Sequence, residues 1–143
     1  VLSTVFLLLH TVGSHYTYSH VPLGEWVREL FALSRNHYDR LVHFSFGLLL
    51  LLPNLELALG PAPGRRPWVH YYLAFATIAW WSVFYELLEW LTAHVVDPAA
   101  GTAFLGTQGD AWDSQQDMAV ACIGAAAAVA IEWFRTAVPT PPR

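Results

Sequence analysis

The stretch from Tyr38 to Leu59, YDRLVHFSFGLLLLLPNLELAL, limits the fold more than any other part of the chain. A helix needs about 20 mainly apolar residues to cross a bilayer, and this run supplies them. Two comparable runs follow. One covers 68–95, long enough to span with tilt; the other covers 114–138 and contains AVACIGAAAAVAI. A shorter run, 1–12, falls below a full span. The chain begins inside it, with no Met and no basic segment of the kind that opens a signal peptide, so it reads as the end of a truncated helix. The expected fold is therefore all-α. It is a polytopic transmembrane helix bundle of about three full spans plus the end of a cut one, in a single membrane domain over 1–143.

Composition agrees. Hydrophobic residues make up 55% of the chain and charged residues 13%, against about a quarter charged in a soluble domain. There is no lysine, and the seven arginines form no basic stripe, which argues against nucleic acid as a partner. Trp and Tyr are abundant and favour the bilayer interface. The single cysteine, Cys122, excludes an intrachain disulfide and a Cys-based zinc ribbon, and reads as a small packing residue. The Ala/Gly face of 114–138 suits close helix approach in lipid, or simply high helix propensity. Residues 22–34 place Leu23, Trp26, Val27, Leu30 and Phe31 on one face behind Pro22. They are expected to form a short interfacial amphipathic helix, with the core helix of a lid as the alternative.

Loops at GPAPGRRPW and VDPAAGTAFLGTQGDAWDS connect the spans. Arg65, Arg66, Arg135 and Arg143 fall at one end of the bundle, Arg28, Arg35 and Arg40 at the other. By the positive-inside rule the first end is cytoplasmic and the second external.

The ionisable residues gather at that external end. Asp39 and His43 open the second run, Glu86 and Glu89 come late in the third, and Asp113 and Asp117 open the fourth, with Asp110 just before. His10 and His15 close the first run on the same side. Each pair is three or four residues apart and so shares a helix face. At about 1.5 Å per residue, His43 and Glu86 lie roughly 10 Å inside the boundary. Carboxylates at that depth face a bundle interior and need a counter-charge. Arg40 and Arg35 could supply it as an ion-pair network. A divalent metal is the other supplier, held by Asp39, His43, Asp113 and Asp117, with His10, His15 or His37 as a further nitrogen ligand and Asp110 or Arg40 nearby. Zinc suits a His/carboxylate mixture, manganese or iron a site richer in oxygen. The bland reading is interfacial polarity for Asp39 and His43, a structural pair for Glu86 and Glu89, and a helix start for Asp110 and Asp113. It leaves Asp117 without a role.

The segments GSHYTYSHVPL, RNHYDRLVHFSFGLLL, YELLEW and FLGTQGDAWDSQQDM resemble, in order, the bacterial YjdF-like inner-membrane family, a domain of unknown function. That resemblance covers nearly the whole chain and implies a multi-pass protein of the bacterial inner membrane with further N-terminal helices. A weaker likeness is to VanZ-like membrane proteins, at Asp39, His43, Phe44, Glu86, Asp113 and Asp117. Glu89 and the pair Asp117-Met118 depart from that pattern.

Three functions compete. A metal-dependent intramembrane hydrolase would act on a lipid or cell-envelope precursor, with Glu86 or Glu89 as general base. A cation or proton permeation module would need further helices or an oligomer. A structural scaffold would use the acids only as an ion-pair network.

Overall fold

A computed structural model describes residues 1–59, 67–96 and 107–137. Among these residues the protein is all-helical. The five helices are α1 (Leu2–His15), α2 (Pro22–Leu30), α3 (Tyr38–Leu59), α4 (Pro67–Val95) and α5 (Asp113–Ala137). At about 1.5 Å per residue α3 and α5 reach about 33 and 38 Å, enough for a hydrocarbon core of about 30 Å. Both are long and apolar enough to cross a membrane. α4 is the longest helix, yet its Trp, Tyr and Glu residues leave it short of the same hydropathy, although the sequence reads it as a full span. The connection through Arg65 and Arg66, on which the orientation was counted, lies outside the described residues, as does Arg143.

The bundle is organised around α3 and α5, with α1 packed on α3 and α4 packed on both. The central pair meets through glycine on each side. A Cβ at Gly47 would strike the carbonyl oxygen of Ala121, and one at Gly124 would strike that of Phe44. Ala121 and Ala125 are fully buried in the same seam. The backbones touch there because no side chain intervenes, as expected of small-residue packing where lipid offers no hydrophobic drive. Beyond the seam, Leu51, Ile78 and Ala74 bury the far half of α3 against α4. The outside is apolar too: Trp80, Leu87, Ile123 and Ile131 are each more than half exposed, a surface suited to lipid.

α2 is shorter than expected. It stops at Leu30, not Ser34, because Ala32 turns left-handed (φ 50°) and the Leu33 N–H returns to the Arg28 carbonyl at 2.9 Å. Its apolar residues Leu23, Trp26, Leu30 and Phe31 face outward.

One buried residue ties these pieces together. Asn36 is fully buried, and its amide nitrogen donates to the carbonyls of Ser19 and Val21 and to Glu25 Oε1. Its side-chain oxygen accepts the Tyr38 N–H at 3.0 Å and so starts α3. Gly24 leaves the room for this, since a Cβ there would run into the Asn36 side chain. Gln108 clasps the Asn36 backbone in both directions, accepting its N–H at 2.9 Å and donating to its carbonyl at 3.0 Å. The turn leading into α5 is thereby fixed to the start of α3.

Candidate functional site

That clasp brings the openings of α3 and α5 together, and the ionisable residues divide into two groups. The first is a guanidinium network. Arg40 pairs with Asp117 Oδ2 through Nη1, and its Nη2 lies 2.6 Å from Asp113 Oδ1. Arg35, also buried, reaches the same Asp113 oxygen at 2.5 Å. Asp110 sits at the rim, 3.4 Å from both arginines, and accepts from Gln116 at 2.9 Å. The Trp112 N–H, aided by the two arginines, holds the Asp110 carboxyl below the usual carboxylate range.

The second group surrounds His43. Its Nε2 is 3.6 Å from Asp39 Oδ1, 3.6 Å from Glu86 Oε1 and 4.0 Å from Asp117 Oδ1. All four residues are at least nine-tenths buried. The Glu86 and Asp117 oxygens that face the imidazole have no hydrogen-bond partner among the described residues. Leaving such atoms unpaired in a buried site costs about 1–3 kcal/mol each, more when charged. Ser114 lies against the Glu86 carboxyl. Among the described residues, Asp39, His43 and Asp117 offer ligand atoms that all lie within 4.8 Å of one another, and Glu86 falls outside that group. One imidazole nitrogen and two carboxylate oxygens form a donor set a divalent cation accepts, with Glu86 Oε1 3.6 Å from the same nitrogen.

Comparison with known proteins fits the helices. A family described as "Predicted membrane protein (DUF2238)" matches residues 1–137. The chain belongs to that family. It is also 44% identical over 115 residues to the inner membrane protein YjdF of Escherichia coli (strain K12), covering 80% of this chain. The match takes in 54% of that protein, so the chain spans about half its length. No solved structure matches. The family is one of membrane proteins and the relative is named for the inner membrane; neither name carries a reaction.

Within this membrane protein the candidate residues separate cleanly. Asp39, His43, Glu86 and Asp117 converge. Asp113, expected as a metal ligand, has its Oδ1 on Arg35 and Arg40 and lies outside the compact group. Arg40 is the bridge of the network, and Asp110 its rim. His15 and His37 are exposed and supply no nitrogen to the cluster. His10 turns to the Tyr18 hydroxyl, 2.9 Å from its Nδ1. Glu89 is half-buried one turn from Glu86, beside Tyr85, and forms no ion pair among the described residues. Gln108 and Ser114 went unremarked in the sequence. Asn36 left a signal there, as a polar residue just ahead of a helix.

Beside the cluster lies a pocket of about 300 Å³ between α1, α3 and α4, with His43 forming part of its wall.

Proposed function

We propose that this chain is part of a multi-pass inner-membrane protein that binds a divalent metal through Asp39, His43, Glu86 and Asp117. We further propose that it uses the metal to hydrolyse an ester in a lipid or cell-envelope precursor. The observation that carries this reading is the pair of buried carboxylate oxygens, on Glu86 and Asp117, turned without partners toward the His43 nitrogen. Charge supports it. Two guanidinium groups, which also pair with Asp110 at the rim, face the four buried carboxylates of Asp39, Glu86, Asp113 and Asp117, so negative charge is in excess there. Spacing supports it in part: Asp39, His43 and Asp117 form the compact group, and the His43 Nε2 stands 3.6 Å from Asp39 Oδ1 and from Glu86 Oε1, near the roughly 3.3–3.6 Å between ligands on a four-coordinate zinc. Three oxygens to one nitrogen lean toward manganese or iron over zinc.

In this reading α4 is the third span, α2 lies in the interface with its apolar face in lipid, and the site faces the external side. The metal supplies Lewis acidity toward a water or the ester oxygen. Glu89, free of arginine, takes the proton of the attacking water and returns it to the leaving alcohol. Arg35 and Arg40 hold Asp113 and one side of Asp117, which aims the other oxygen of Asp117 inward.

Metal titration of the purified full-length protein tests the reading. Manganese should bind at one equivalent. His43→Ala and Asp117→Asn should each weaken it at least about tenfold, and Asp110→Asn should leave it unchanged. A folded protein that takes up no divalent metal would end the proposal.

A further inference from the structure

The pocket next to His43 is polarised along the membrane normal, and we infer that it holds one acyl chain of a membrane lipid with the headgroup bond at His43. As a substrate site this rests on the metal reading above; as a lipid site it does not. α3 leaves the site end and α4 returns to it, so depth can be read from residue number on each. Toward the site end the pocket is lined by His10, His43 and Tyr85, with Val42 and Leu88 beside them. Phe6, Phe46 and Trp81 line it three or four residues deeper, close to one turn on each helix. The site end therefore adds nitrogen and hydroxyl groups to an apolar lining, and the deep end is mainly aromatic, with Ser82 in its wall. That is the polarity of an amphiphile whose head lies at the interface.

The side of the pocket is open in the direction a lipid would enter. Leu7 is 57% exposed and Trp81 45% exposed, on helices that each pack against α3. The volume of about 300 Å³ is at the bottom of the range of small-molecule sites. It takes the part of one unbranched chain next to the linkage and leaves the rest, with the second chain of a diacyl lipid, outside in the bilayer. His43 is the hinge of the assignment: its Nε2 faces the carboxylates, and its ring borders the pocket. A lipid seated with its chain on Phe46 presents its ester linkage to the groups around His43.

The full-length protein in proteoliposomes tests this with a phosphatidylglycerol spin-labelled on one acyl chain. The expected spectrum contains a strongly immobilised component beyond the exchanging boundary lipid. Ser82→Leu, which fills the pocket from a buried wall, should abolish that component. Leu7→Trp, which blocks the exposed mouth and leaves the buried packing alone, should abolish it too. Neither residue is a metal ligand, so metal uptake should be unchanged in both variants. An immobilised component that survives both substitutions, or that is missing from the unsubstituted protein, overturns the inference. Displacement of the label by a prenyl phosphate in preference to unlabelled phosphatidylglycerol overturns the acyl assignment. Loss of metal uptake with the immobilised component intact would sink the metal reading and leave the lipid site standing.

Discussion

Arg40→Ala should cost about 3–5 kcal/mol of stability, the loss that follows when one partner of a buried ion pair is removed and the other stays behind. Here two carboxylates are left, not one. The Arg40 side chain is 11% exposed and bridges Asp113 and Asp117, whose own side chains are 6% and 3% exposed. It also donates to the Asp113 carbonyl at 3.1 Å, which ties it to the first turn of α5. Without it, Arg35 alone faces the acids at the opening of that helix. Arg40→Lys should recover only part of the loss, because an ammonium is a point charge and cannot fork between two carboxylates. Equilibrium unfolding in mixed micelles would show the difference. An Arg40→Ala protein within about 1 kcal/mol of the parent, the scale of an exposed pair, would mean that the network carries little of the fold.

Gly47→Ala should be nearly as damaging, and Gly124→Ala likewise. Added methylenes in a tight core cost about 1–3 kcal/mol, and these positions belong at the upper end of that range. The obstacle in each case is a carbonyl oxygen of the facing helix, not a side chain that can rotate away. Combining the two substitutions should not restore stability, since each pushes α3 and α5 apart by itself. Gly47→Leu should prevent the two helices from docking at all. The control is Ala126→Leu on the exposed face of α5, which should be neutral. Alanine variants as stable as the parent would contradict close contact at this seam.

Much of this could be read from the residues. The three long helices fall where apolar length puts them, and the shared end of the ionisable residues follows from their antiparallel order alone. The division of labour inside the cluster could not be read. Asp39 and Arg40 are adjacent in sequence, yet successive helix positions point about 100° apart. One meets His43 and the other reaches across to α5. Which acid an arginine claims depends on how α3 docks, and that is set by Gly47, a single glycine before a leucine run with no periodic signature. The same docking explains why Asp113, a plausible ligand by spacing, belongs to the arginines. It also lets Glu86 arrive from α4 beside His43. The turn clasped by Gln108 was equally silent, because a side-chain clasp on a distant backbone leaves no pattern in its own segment.

Anomalous diffraction from crystals of the full-length protein grown with manganese would locate the cation itself. The account expects one peak among Asp39, His43, Glu86 and Asp117, at about 2.0–2.2 Å from the His43 Nε2 and the carboxylate oxygens. A cluster with no peak, in which His43 closes to within about 2.7–2.9 Å of a carboxylate as a simple charged pair, would contradict it.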